Sequence, residues 1–203
     1  MKTSYRSFLS RFSVAAILLP AFLVACADNS QPQNEKLESH SSPQVSFVDN
    51  LQTLCGKTLT GAVVSQDPQD VDWRAEALTV GPIDCTEMGA VMPLAVGEDK
   101  SRVWTISKQE NGLKLSHAHT LKDGSPDPVT AYGGTTEDIG TATKQHFPAD
   151  NYSKTLFATH GLDASVTNVW SLEIIPNKIF AYELNREGRH FRAEFDLAAQ
   201  NSH

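Results

Sequence analysis

The 203-residue chain holds only three cysteines, and none of them lies in a Cys-x-x-Cys. Ribbon-type zinc sites and thioredoxin-type redox chemistry therefore lack their ligands. There is no Gly-x-Ser-x-Gly and no Ser-x-x-Lys, so the strand-turn-helix nucleophile and the penicillin-binding pattern are missing. Basic residues are the minority, 17 Lys and Arg against 24 Asp and Glu. A nucleic-acid surface, which neutralises phosphates with clustered Lys and Arg, is not expected. No apolar run reaches the roughly 20 residues that a membrane-crossing helix needs; the longest, Phe12 to Leu23, is about a dozen. There is no internal repeat and no heptad, which sets aside solenoids and coiled coils.

That short apolar run follows Lys2, Arg6 and Arg11 and ends in small residues before Cys26, the three-part plan of an export signal. Leu23-Val24-Ala25-Cys26 resembles the lipobox of bacterial lipoproteins. The resemblance implies that residues 1–25 are a signal peptide removed before Cys26, and that Cys26 receives a diacylglycerol and an N-terminal acyl group. Two or more chains anchor stably where one does not, so the partner implied is the membrane itself. Ala27 after the cysteine implies the outer membrane, with the domain facing the periplasm. Loss of residues 1–25 removes three basic and no acidic residues, leaving 14 against 24 and a mature charge of -10. Residues 26–44 carry two prolines and no aromatic; such a stretch cannot bury enough surface to order itself and reads as a tether with a span of roughly 25 Å. Residues 45–203 read as one domain ending in a short polar tail.

In an oxidising compartment Cys55 and Cys85 are expected to form a disulfide, since no nearby histidine suggests a catalytic thiol or a metal pair.

Short segments of alternating character recur about every ten residues between Gly, Pro, Asn and Asp, the pattern of an antiparallel meander. The predicted strands are Lys57 to Val64, Trp73 to Val80, Val91 to Val96, Arg102 to Ser107, Leu113 to Leu121, Pro128 to Thr135, Thr141 to Phe147, Asn168 to Ile175, Lys178 to Asn185 and His190 to Leu197. Two short helices are predicted, one in "SFVDNLQTLCG" with Phe47, Leu51 and Leu54 on one face, one in "PADNYSKTLFATHG" with Asp150 as N-cap and Gly161 as terminator. About ten strands exceed what an open twisted sheet usually carries, so the fold class is mainly β, the meander closing into a barrel or half-barrel. At the level of pattern this resembles the lipocalin and fatty-acid-binding barrels. The lipocalin Gly-x-Trp is absent, Gly56-Lys57-Thr58 standing in its place, so the likeness brings no ligand with it. "LCGKTLTGAVV", "GEDKSRVWTI", "HAHTLKDGSPDPVTAYGGTT" and "SVTNVWSLEI" together resemble a group of uncharacterised exported proteobacterial proteins, a resemblance that covers most of the mature chain and implies no activity.

The strand "GLKLSHAHTL" puts Leu113, Leu115, His117, His119 and Leu121 on one face. Two imidazoles on one strand face are half of a zinc site, with His146 or His160 as a third ligand, yet inward histidines more often serve as hydrogen-bonded core groups or line a cavity. Trp104 and Trp170 alternate with apolar residues and read as core, or as stacking surfaces if a cavity is present. "DGSPD" has calcium-loop spacing at Asp123, Ser125 and Asp127, but Pro128 and Gly134 stand where a glycine and a glutamate are needed, so a hairpin turn is expected. Gly133 and Gly134 lack a phosphate-loop lysine and are read as a bulge or strand bend. Glu173 and Glu183, opposed by Arg186 and Arg192, are read as cross-strand ion pairs. No cofactor is implied. Taken together these readings favour a non-enzymatic binding or interaction module for a small apolar ligand or an envelope protein. The alternatives are a metal-dependent hydrolase using His117 and His119, and a purely structural envelope protein.

Overall fold

The computed structural model describes residues 41–198. The signal segment 1–25, the acylation site Cys26 and the tether as far as residue 40 lie outside the described residues. The first helix, α1 (Pro43–Gln52), starts two residues before the expected domain boundary, because Ser42 caps it by accepting from the Val45 N–H and Pro43 sits in its first turn. Its buried face carries Phe47, Val48 and Leu51.

Eleven antiparallel strands follow: β1 (Leu59–Val63), β2 (Leu78–Val80), β3 (Asp84–Thr86), β4 (Gly89–Val96), β5 (Asp99–Gln109), β6 (Gly112–His119), β7 (Tyr132–Thr135), β8 (Lys144–Pro148), β9 (Val169–Ile175), β10 (Ile179–Arg186) and β11 (Arg189–Asp196). Ten run side by side in the order β7-β6-β5-β4-β2-β1-β11-β10-β9-β8, and β3 pairs with β4 alone. The sheet curls until β7 and β8, its two ends, meet at a bridge between Gly134 and Ala149 and a bond from the Asp150 N–H to the Gly133 carbonyl, 3.0 Å. The result is the nearly closed barrel expected of a meander this long.

At the seam the two glycines do not form a bulge: β7 keeps unbroken register with β6, Gly133 opposite Ser116 and Gly134 opposite Leu115. They are needed for proximity. A Cβ on Gly133 would lie 1.9 Å from the Leu115 carbonyl oxygen, and one on Gly134 2.0 Å from that of Pro148. Glycine at both lets β7 sit between two backbones.

Two expected strands keep half or less of the length read for them. Trp73 to Val80 begins instead as a helical turn, because Asp67 accepts from the Gln69 N–H and nucleates a 3-10 turn (Pro68–Asp70) that runs on into α2 (Val71–Arg74); only Leu78–Val80 pairs. Pro128 to Thr135 pairs only from Tyr132. Leu121 lies past the end of β6 and is exposed, so it does not share the buried face of Leu113 and Leu115. β3 was not expected; it is three residues long and is tied by the disulfide between Cys55 and Cys85 (Cα–Cα 5.6 Å) to the turn after α1. Asp123 accepts from the N–H and hydroxyl of Ser125 and so makes "DGSPD" a turn.

The two ends of the barrel differ. Helix α1 lies across the end where the β5–β6 and β9–β10 turns sit: Gln44 donates to Thr136, Asn50 to the Ala142 carbonyl and Gln52 to the Thr86 carbonyl. Beneath it Leu59, Met92, Leu115, Phe147, Leu172, Phe180 and Phe195 are all fully buried. The opposite end is flanked by the segment holding α2, by helix α3 (Asn151–Thr159) and by the β10–β11 turn. On the outer wall Arg192 pairs with Glu173 at 2.9 Å and with Glu183 and Glu194, while Lys144 reaches Glu183 at 2.9 Å. Burial would raise the Glu183 carboxyl, but its bonds to Lys144 and Arg192 outweigh that and hold it below the usual range. Among the described residues no helix is long and apolar enough to cross a membrane.

Candidate functional site

Alternation along the strands builds a graded interior, since every second side chain points inward. On β5 the inward series from the closed end is Ile106, Trp104, Arg102; on β10 it is Phe180, Tyr182, Leu184, Arg186; on β11 it is Phe195, Ala193, Phe191, Arg189. Each passes from aliphatic or aromatic residues to an arginine at the open end. Above the packed core this leaves a cavity of about 320 Å³ lined by these upper residues, by His117, His119, Tyr132 and Trp170, and by Phe157 and Leu162 from the α3 segment. Its size is at the lower end of the range of small-molecule sites.

The walls are aromatic. Trp104 stacks on Tyr182 at 4.3 Å between ring centroids and 7° between planes, and His117 stacks on Tyr132 at 4.8 Å and 14°. Trp170 tilts against His117 at 5.0 Å and Phe157 against Tyr132 at 5.2 Å. A hydrogen bond joins the two stacks, His117 Nε2 lying 2.8 Å from the Tyr182 hydroxyl. His117 Nδ1 is 3.3 Å from the Tyr132 carbonyl. A carbonyl only accepts, so Nδ1 carries the proton, and Nε2 must accept from Tyr182. The tautomer is thereby fixed and the Nε2 lone pair is occupied. His119 Nε2 lies 2.9 Å from the Tyr132 hydroxyl.

Burial sets the charge state. It drives the His117 imidazolium pKa down to about 3 from an ordinary 6.5, only partly offset by the bond to the Tyr132 backbone. His119 is lowered as well, by burial and then by the Arg102 charge. Burial lifts the Tyr132 phenol to about 12 and raises that of Tyr182 well above its ordinary 10. Near neutral pH both imidazoles are uncharged and both phenols keep their protons. The charges left on the cavity wall are three arginines and one aspartate. Asp70 is buried and takes both Nη groups of Arg189, Arg102 pairs with Asp99 and lies 5.1 Å over the Trp73 ring, and Arg186 donates to the neutral Asn168 at 2.9 Å.

All four residues singled out in the sequence meet in this cavity: His117, Trp104 and Trp170 are almost wholly buried and His119 partly so. The proposed third ligands are elsewhere. His146 is paired opposite Ser171 on the outer face and bonds its hydroxyl, and His160 is exposed with Nδ1 on the Leu156 carbonyl. Among the described residues no three His, Cys, Asp or Glu side chains are placed to hold one metal ion. The pairing expected of Arg186 is also revised: of the two arginines Arg192 alone joins the outer glutamates, because residue 186 falls on the inward register with Tyr182 and Leu184. Sequence reasoning missed Tyr132, Tyr182, Arg102, Arg186 and Arg189. The available signal was the arginine ending an apolar series at every second residue on three strands.

Comparison of the chain with protein-family models, with curated proteins and with solved structures finds no match.

Proposed function

We propose that the protein is a lipid-anchored lipoprotein of the cell envelope, held at the outer membrane through Cys26 and facing the periplasm, whose barrel is a non-enzymatic binding module for a small molecule. The observation that supports it best is the cavity of about 320 Å³ walled by Trp104, Tyr182, Tyr132 and Trp170 at the open end of an otherwise filled barrel. A barrel serving only as scaffold gains stability by filling that space, since an unfilled interior forfeits packing energy. Aromatic rings held by neighbours and by the Tyr182–His117 bond offer flat apolar surface with little ordering cost on binding. Neutral His117, with its lone pair engaged by Tyr182, acts as a rigid wall group in this reading.

Native mass spectrometry tests it on protein purified from the envelope without chelator, beside the His117→Ala/His119→Ala double variant. A bound organic molecule in the wild type supports the proposal. One zinc per chain, lost in the double variant, would replace it with the metal-dependent hydrolase. A bare chain that also binds no small aromatic added afterwards would leave the purely structural role.

A further inference from the structure

The geometry points to the ligand class: we infer that the cavity takes a small molecule with a flat aromatic body and a single carboxylate, the body against the aromatic walls and the carboxylate at Arg186. This deepens the binding-module reading and rests on it. Three linked observations lead there.

The first is polarity along the cavity. On β5, β10 and β11 the inward series ends in Arg102, Arg186 and Arg189, so a molecule seated apolar end first brings its other end to cations. The second is charge. The chain carries a net -7, yet the cavity wall has three arginines and one aspartate. Two of the three are matched by carboxylates, Arg189 by Asp70 and Asp67 and Arg102 by Asp99, so the positive charge open to an anion is local to Arg186.

The third separates the arginines by their partners. Arg189 is held by Asp70 and Asp67, and Arg102 by Asp99. Arg186 has one polar contact among the described residues, to the side-chain oxygen of Asn168, and no carboxylate partner there. A guanidinium has five N–H donors in a planar fork, so most of the donors of Arg186 remain for a ligand, and a carboxylate matches the fork in shape and charge. Asn168 is itself buried and orients the guanidinium at the cavity edge. Stacked rings on the walls favour a planar body over an alkyl chain.

The probes are 2-naphthoate and its neutral isostere 2-naphthamide, with octanoate as a flexible acid, titrated calorimetrically into the mature domain and into Arg186→Gln and Arg186→Lys. In the wild type naphthoate binds about tenfold or more tightly than naphthamide, the difference expected of one charge-assisted contact, and more tightly than octanoate. Arg186→Gln removes the preference for the acid, weakening naphthoate by about tenfold and naphthamide by less; Arg186→Lys keeps part of the preference. Circular-dichroism melts of both variants establish that the barrel is intact. Equal binding of acid and amide, or a preference that survives in Arg186→Gln, would overturn the carboxylate assignment while leaving the binding module standing. Tighter binding of octanoate would overturn the aromatic one. Failure of all three probes to bind would overturn this inference, and the native mass spectrum of the envelope-purified protein then decides separately whether the binding-module reading stands.

Discussion

Replacing His117 by leucine should produce a stability change whose sign depends on pH. At pH 7.5 the variant leaves the Tyr182 hydroxyl, 2.8 Å from Nε2 in the wild type, without its acceptor, and an unsatisfied buried donor costs about 1 to 3 kcal/mol. The wild type carries an opposing liability. Its His117 stays neutral when folded until the pH nears about 3, against an ordinary 6.5 in the unfolded chain. Because the folded pKa is depressed, the unfolded state takes up a proton below pH 6.5 that the folded state refuses. The stability this histidine contributes is complete above pH 6.5 and is lost as the pH falls toward 3, at about 1.4 kcal/mol per unit. By pH 5 that loss is about 2 kcal/mol and matches the cost of the lost bond. His119, also lowered, adds a slope to both proteins that largely cancels in the difference. Urea unfolding of both proteins from pH 8 to pH 4.5 should therefore give a wild type more stable by about 2 kcal/mol at high pH and curves that cross near pH 5. Parallel curves would mean that His117 charges freely in a wet cavity, and would refute the buried, bonded imidazole.

Gly134→Ala drives a methyl into the Pro148 carbonyl across the seam; overpacking of about 1 to 3 kcal/mol should lower Tm by about 5 °C, read by circular dichroism. Cys55→Ser/Cys85→Ser opens a 30-residue link and should cost about 3 kcal/mol, or roughly 10 °C in Tm under oxidising conditions; thiol counting on the exported wild type should find neither cysteine free. Cys26→Ser should abolish metabolic palmitate labelling, and continued labelling would remove the lipid anchor from the proposal.

The barrel was legible because its strongest signals are local. Alternation over Arg102 to Ser107, Asn168 to Ile175 and Lys178 to Asn185 fixes which residues face inward whatever the partner strand. The caps at Asp150 and Gly161 act within one turn of their helix. Part of what stayed hidden was local: Trp73 reads as a strand residue although Asp67, six residues earlier, accepts from the Gln69 N–H and starts a helical turn. The rest depends on contacts distant in sequence. Gly133 and Gly134 look like a bend, because nothing nearby announces that Pro148 will press against them. The cavity was half visible. His117, Trp104 and Trp170 lie in the best-patterned strands, whereas Tyr132 enters from a four-residue strand behind a long loop. Charge alone places Arg186 with the outer glutamates, whereas counting in twos from Tyr182 places it inside.

A crystal structure of the protein grown with 2-naphthoate tests the binding site most directly. The expected result is one naphthoate in the cavity, its rings within about 4 Å of the aromatic walls, the contact distance of packed carbon atoms, and its carboxylate within about 3 Å of Arg186 nitrogens, a charge-assisted hydrogen bond. A cavity closed by its own side chains, or a naphthoate seated only on the outer wall of the barrel, would contradict it.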